Sequence, residues 1–295
     1  MNILLTGGTG FLGSNLLIEL IAKGHSVVCI IRNGSDMKNI MPVKDYTSFF
    51  NYEKKPLSEL FESYKFDIII HTATEYGKSD NDIQKIIEAN IYLPVKLVNY
   101  AIKYKIKYFI NTDTFYNKQG NIYPYYFYYS LSKYQCYTLL KSLNRFIKII
   151  NFRLEHVFGP KDNPQKFIPY IIKSFLNNSI NLDLTGCKQK RDFIYIDDVV
   201  SAYSTVINNL SSFSELFVEL EVGTGNSIIL KEVIEKIKTL AGNTSTIVNF
   251  GYLVERQNEI IDSFAKNAIL KNLGWNVNTS LTNGLQITID SMKSI

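Results

Sequence analysis

Thr6-Gly7-Gly8-Thr9-Gly10-Phe11-Leu12-Gly13 follows the short apolar run Ile3-Leu4-Leu5 and leads into a helical pattern from Ser14 to Ala22. A strand that turns on glycines into a helix aims the helix's free N–H groups and positive dipole end at one spot, which suits a pyrophosphate. Gly7 would permit the tight turn, Gly10 would let backbone approach phosphate oxygens, and Gly13 would let helix and strand pack closely. Glycine-rich turns alone are common and weak evidence. Between a strand and a helix at the start of the chain, this one predicts dinucleotide binding through Gly7, Gly10, Phe11, Leu12 and Gly13.

The composition agrees with an enzyme-sized globular chain. Its 295 residues are 46% hydrophobic and 20% charged, enough for one large domain or two intimate ones. No apolar run reaches the roughly 18 residues of a membrane span, and the N-terminus reads as strand rather than signal peptide, so no membrane partner is expected. Cys29, Cys136 and Cys187 are scattered without metal-ligand spacing. No metal site is expected, and a reduced, cytoplasmic setting follows as the default. The formal charge of +5 is spread along the chain, which argues against nucleic acid and fits polyanionic small molecules such as nucleotides.

From 1 to about 155, apolar runs alternate with helical patterns, predicting βαβ units and an α/β, Rossmann-like, doubly wound parallel sheet. The second strand, Ser26–Arg32, ends in Arg32-Asn33-Gly34-Ser35, with no acid until Asp36. An acid there accepts from the ribose 2′-hydroxyl of NAD, whereas an arginine accommodates a 2′-phosphate. NADPH is therefore expected ahead of NADH, with Arg32 and Asn33 in the cofactor set; a solvated arginine in a turn is the plainer alternative. Residues 37–66 carry weak signals, a short strand near 48–51 and a helix around 56–64. The run from Asp67 to Ala73 is a buried strand, and His71 within it reads as structural rather than catalytic.

A long helix is predicted from about 82 to 104, with Asn90, a poor helix former, inside it. The strand from Tyr108 then delivers Thr112 and Asp113 at its C-terminal end, where α/β sheets place their chemistry. Tyr129 and Lys133 follow at i and i+4 on one face of a helix over 127–143. A nearby ammonium stabilises a phenolate, so Lys133 is expected to lower the Tyr129 pKa from its usual value near 10 and tune it for proton transfer. Among 20 tyrosines such a pair is weak alone; its place after the fifth strand and Thr112 gives it weight. A sixth strand runs from Lys148 to Arg153, a helix opens at Phe167, and Asp197-Asp198 should cap a helix through Asn208. Arg191, and Arg256 three residues before Glu259, offer planar forks suited to a diphosphate. The remainder reads as helices over 230–241, 265–273 and 281–292, with a strand near 246–249.

The spacing Gly-x-x-Gly-x-x-Gly, with Asn90, Thr112, Tyr129/Lys133, Arg153-Leu154-Glu155-His156-Val157, Arg191-Asp192 and Leu273-Gly274-Trp275, resembles the extended short-chain dehydrogenase/reductases of the nucleotide-sugar epimerase/dehydratase group. The resemblance spans most of the chain. It implies a dinucleotide-binding domain over 1–160 with a return segment at about 191–224, and a smaller C-terminal substrate-binding portion over 161–190 and 225–295. It also implies Ala73 and Thr74 beside the cofactor, Asn90 supporting the active-site lysine, and a homodimer paired through the helices carrying Asn90 and Tyr129. Dehydratases of the group carry Thr-Asp-Glu where this chain has Thr112-Asp113-Thr114, so the missing glutamate speaks against dehydration. The implied reaction is NADPH-dependent reduction of the C4 keto group of a 4-keto-6-deoxy or 3,6-dideoxy nucleotide sugar, yielding a deoxysugar donor for surface polysaccharide. The nucleotide would be CDP, with dTDP or GDP as alternatives. Tyr129 would donate the proton, Thr112 orient the oxygen and Lys133 hold the nicotinamide ribose. Asp113, Glu75, His156, Arg191 and Arg256 would contact substrate. An epimerase with tightly bound NAD, and a non-catalytic NADP sensor, are the competing readings.

Overall fold

The apolar runs of the first half become six strands, each separated from the next by a helix or 3-10 turns. In the computed structural model, which describes residues 1–77, 83–118 and 123–294, these are β1 (Asn2–Thr6), β2 (Ser26–Ile31), β3 (Ser48–Asn51), β4 (Ile68–His71), β5 (Tyr108–Thr114) and β6 (Lys148–Leu154). They form one sheet with the strand Phe217–Val222, in the order Phe217–Val222, β6, β5, β4, β1, β2, β3. β1 lies parallel to β2 and β4, β2 to β3, and β4 to β5. This is the doubly wound order, in which the chain reverses direction across the sheet beside β1 and places ligands at the strands' carboxyl ends. Ile3, Leu4, Leu5, Ile68, Ile69 and Ile70 are fully buried, as a sheet covered on both faces requires. Each such side chain contributes about 1.5–3 kcal/mol of burial.

The helices are α1 (Phe11–Ala22), α2 (Leu57–Ser63), α3 (Ile83–Ile87), α4 (Leu93–Lys103) and α5 (Phe127–Leu143). The single helix expected from about 82 to 104 is interrupted: Glu88–Tyr92 forms a π turn between α3 and α4. Asn90, the residue that fitted a helix poorly, occupies that turn. Asp82 lies outside the described residues. The 3-10 turns over Lys38–Tyr46, which carry Pro42, account for the weak signals after β2.

The chain divides into two compact units, Met1–Arg153 with Ala202–Leu220, and Leu154–Ser201 with Glu221–Ile295. The return to the first unit thus begins at Ala202 rather than near 191. The second unit contains the helix Phe167–Leu176, short strands including Lys190–Arg191 and Phe193–Tyr195, and the helices Leu230–Ala241 and Leu281–Lys293. Asp198 stands inside the helix Ile196–Asn208 instead of capping it, and its carboxylate accepts from Asn278 and Thr279 N–H at 2.8 and 3.1 Å. Trp275 is buried nearby, its indole N–H donating to Asp198 O and Ser201 Oγ.

Candidate active site

The glycine turn has the close contacts its spacing implied. Gly7 sits at φ +73°, and a Cβ there would lie 2.5 Å from Ala73 N; a Cβ on Gly13 would lie 2.1 Å from the Gly7 carbonyl oxygen. Only glycine lets β1, α1 and the segment after β4 approach so closely. Phe11 and Leu12 open α1, whose N-cap, Gly10, places no side-chain cap on the helix's first N–H groups, the groups that bind a pyrophosphate. Thr6 ties this floor together: its Oγ1 is hydrogen-bonded with His71 Nδ1 at 2.8 Å and accepts from Ala73 N–H at 3.3 Å. His71 is buried and its pKa is pushed down to about 3, first by burial and then by Lys133. It is a neutral structural ring.

At the end of β2, Arg32 is exposed and the Asn33 N–H donates to Glu53 at 2.7 Å. The reading that this strand end lacks an acid is corrected: Glu53, in the turn two residues beyond β3, supplies one. The parallel register pairs Ile31 with Asn51, which carries Glu53 alongside Asn33. That signal lies in strand pairing across 20 residues, not in the local motif. Asn51 completes the lacing by donating to Asn33 Oδ1 and accepting from Glu53 N–H.

Tyr129, Lys133, Thr112 and Asn90 all fall in the first unit, with roles partly rearranged. Lys133 is buried and donates from Nζ to the Thr112 carbonyl oxygen at 2.9 Å. The Thr112 hydroxyl is committed elsewhere, hydrogen-bonded with the Tyr203 hydroxyl at 2.7 Å. The hydroxyl bonded to the Tyr129 phenol belongs to Thr114. Thr114 Oγ1 also accepts from Tyr116 N–H at 3.4 Å. Along a strand, side chains alternate faces, so Thr112 and Thr114 share one face at different depths, and spacing alone does not rank them. Thr114 is the residue the sequence reading missed.

The expected lowering of the Tyr129 pKa is also corrected. Burial holds it well above its ordinary value of 10.0, Tyr76, Asp113 and Tyr116 push it further up, and Thr114 opposes them. The Lys133 ammonium is turned to the Thr112 carbonyl, and burial lowers the lysine's own pKa against support from Cys136 and Asp113. Asn90 behaves as a clamp. Its Oδ1 accepts from Glu75 N–H and its Nδ2 donates to Glu75 O, both at 2.8 Å, while Nδ2 also donates to Ser132 Oγ at 2.9 Å. Ser132 in turn donates to Tyr129 O, so the π turn fixes the segment after β4 to the first turns of α5. Such bulges frequently occur at functional sites.

Three residues expected to contact substrate are occupied internally. Asp113 is buried and accepts from Thr114 N–H and Asn117 at 2.8 Å and from Asn151 at 3.0 Å, with Arg153 Nε at 3.9 Å. Burial raises its pKa, and these partners work against that rise. The Glu75 carboxylate accepts from Gly77 N–H at 3.3 Å. In the second unit, Arg191 donates to Lys190 O, to Ile260 O and, at 2.5 Å, to Glu259 Oε1, all while buried. Arg256, 3.8 Å from the other Glu259 oxygen, is half-exposed. His156 is partly buried 3.8 Å from Glu155; burial lowers its pKa and Glu155 resists. Thr74 lies one residue beyond Ala73, partly buried. Among the described residues no group of His, Cys, Asp or Glu is arranged to hold a metal, and no helix is long and apolar enough to cross a membrane.

A glycine cradle, a buried tyrosine–lysine helix and a hydroxyl at the end of β5 define a nucleotide-dependent oxidoreductase scaffold. Residues 3–217 match the NAD dependent epimerase/dehydratase family, and the chain belongs to that family. It is similar over nearly its whole length to two enzymes named CDP-abequose synthase. The protein from Salmonella muenchen is 38% identical over 287 residues, covering 96% of this chain and 95% of the relative. The one from Salmonella typhimurium is 35% identical over 288 residues, covering 96% of each. The fold matches that of UDP-glucose 4-epimerase from Thermotoga maritima with a TM-score of 0.83 over 100% of this chain and 99% of that one, at 22% identity.

Proposed function

We propose that the protein reduces the C4 keto group of a nucleotide-linked 4-keto-6-deoxy or 3,6-dideoxy hexose with NADPH, producing a deoxysugar donor for surface polysaccharide. The observation that carries this reading is the likeness over nearly the whole chain to the two CDP-abequose synthases, and it is supported by the buried Tyr129 phenol beside Thr114. A phenol held protonated at neutral pH suits an acid that gives a proton to a developing alkoxide. An epimerase must first use it as a base. The similarity to CDP-abequose synthases supports CDP as the nucleotide, with dTDP and GDP as alternatives.

The cofactor residues are Gly7, Gly10, Phe11, Leu12 and Gly13 at the cradle, Ala73 and Thr74 beside it, Arg32 and Asn33 at the adenosine end, and Lys133. The bound nicotinamide supplies the hydride. The chain's part is proton transfer and orientation. Tyr129 passes its proton to the C4 oxygen, and the Thr114 hydroxyl stabilises the phenolate left behind. Lys133, fixed by the Thr112 carbonyl, orients the ribose, and Asn90 positions the segment that carries Tyr76. Arg256 is proposed to bind the diphosphate and His156 to contact the nucleotide sugar. A homodimer through the Asn90 and Tyr129 helices is supported by exposed Ile87, Tyr92 and Phe127.

Glu53 beside Asn33 favours one second reading, an epimerase holding NAD, because a carboxylate there repels a 2′-phosphate. Absorbance at the nicotinamide band, with NADPH and then NADH and a panel of CDP-, dTDP- and GDP-linked 4-keto-6-deoxy sugars, separates the two. Loss of absorbance with one sugar and a preference for NADPH is the expected result. A changed sugar without net oxidation would establish the epimerase instead.

A further inference from the structure

We infer that Glu155 is a positioning residue that keeps the ring proton of His156 on Nδ1, leaving Nε2 to accept from a hydroxyl of the nucleotide sugar rather than donate to its diphosphate. The inference rests on the nucleotide-sugar reading above. Glu155 immediately precedes the short strand His156–Phe158, and His156 Nδ1 faces Glu155 Oε2 at 3.8 Å. The Glu155 carboxylate is buried, with Ser263 Oγ 2.9 and 3.0 Å from its two oxygens. The backbone fixes both residues. Glu155 N–H donates to Val222 O and His156 N–H to Asp192 O, and the imidazole lies beside the Phe193 ring at 5.5 Å.

A buried carboxylate is an acceptor, so the nitrogen that faces it is the one that keeps the proton. In a neutral imidazole the other nitrogen then carries a lone pair. The His156 side chain is 23% exposed although Nδ1 is buried, so the exposure falls on the rest of the ring, which includes Nε2. The charged groups around the ring are Glu155 before it and Arg191 and Asp192 on the segment that pairs with its strand. Burial and Arg191 oppose a charged ring, Glu155 and Asp192 favour it, and burial is the largest of these effects. The ring is therefore neutral at pH 7. A diphosphate oxygen asks for a donor, which a neutral ring with its proton on Nδ1 does not offer at Nε2. A ribose or hexose hydroxyl can give its proton to that lone pair.

The test titrates CDP-glucose, which carries no keto group, and then CDP alone into the full chain between pH 7.5 and 5. Affinity should fall as pH drops below 6.5, because a protonated Nε2 must release its proton before it can accept. His156→Leu should bind about 3- to 10-fold more weakly at pH 7.5 and lose most of that pH dependence. Glu155→Gln, whose amide can donate to Nδ1 and send the ring proton to Nε2, should do the same. The two substitutions together should cost no more than either alone, whereas a merely structural Glu155 would add its cost to that of His156→Leu. Imidazole nitrogen NMR of the wild type, which has three histidines, reads the tautomer without any variant having to fold. His156 should carry its proton on Nδ1 at pH 7.5. A proton on Nε2, or affinity that strengthens in acid, would overturn the inference and leave the ketoreductase standing. In support of it, a pH effect shared by CDP assigns the hydroxyl to the ribose, and one confined to CDP-glucose assigns it to the hexose. Binding of neither ligand would overturn the inference together with the nucleotide-sugar reading.

Discussion

The end of β5 and the strand Lys190–Arg191 both carry side chains whose type and spacing suggest chemistry, yet they differ in what remains available. At β5 the Tyr129 phenol faces Thr114, a partner that can stabilise the phenolate produced when the proton leaves. At Arg191 the guanidinium is consumed by two carbonyls and the Glu259 carboxylate, all in a buried setting. A reactive group needs a partner suited to its changed charge state; a structural one has its bonding capacity filled. Asp113 falls with Arg191 on this criterion.

The largest effect separating the two regions is expected from Tyr129→Phe. It should lower kcat by about 10²- to 10⁴-fold while NADPH still binds, as measured by turnover beside a fluorescence titration of the cofactor. Undiminished turnover would remove Tyr129 as proton donor. Arg191→Ala should act on stability instead, costing about 3–5 kcal/mol in urea unfolding because Glu259 is left buried against its lost partner. Arg256→Ala, at a half-exposed site, should leave unfolding nearly unchanged and raise the KM for the nucleotide sugar. If the two arginine variants behave alike, the distinction between the buried and the half-exposed arginine fails.

A smaller, pH-dependent effect belongs to His71. Its folded pKa of about 3 lies below the ordinary 6.5, so in acid the unfolded chain binds the proton first. His71's contribution is therefore fully present above pH 6.5 and is lost as pH falls from 6.5 toward 3, by at most about 1.4 kcal/mol per pH unit. Urea midpoints measured across that window should fall with acidification, and His71→Gln should flatten the slope.

The scaffold was legible because its signals are local. The glycine turn and the 127–143 helix each show in their own residues, the 48–51 strand only weakly, and β3 and α5 have those bounds. The π turn at Glu88–Tyr92 was readable only as a misfit, since Asn90's reason for being there is Glu75 and Ser132, 15 and 42 residues away. Glu53 reaches Asn33 through strand register, and Thr112 loses its hydroxyl to Tyr203, 91 residues on. These pairings arise from tertiary packing, which no motif spacing encodes. The same holds for Tyr129: the i, i+4 lysine was visible, but burial and the Tyr76 ring outweigh it.

The sharpest measurement compares Thr114→Val with Thr112→Val in single-turnover reduction of a CDP-linked 4-keto-deoxy sugar. Thr114→Val should slow the reductive step by about tenfold or more through the lost hydrogen bond to the Tyr129 phenolate. Thr112→Val should leave that step nearly intact and lower stability by about 1–3 kcal/mol, because the buried Tyr203 hydroxyl loses its partner. The opposite pattern, a slow step in Thr112→Val with Thr114→Val unimpaired, would contradict the assignment of Thr114 as the hydroxyl that serves Tyr129.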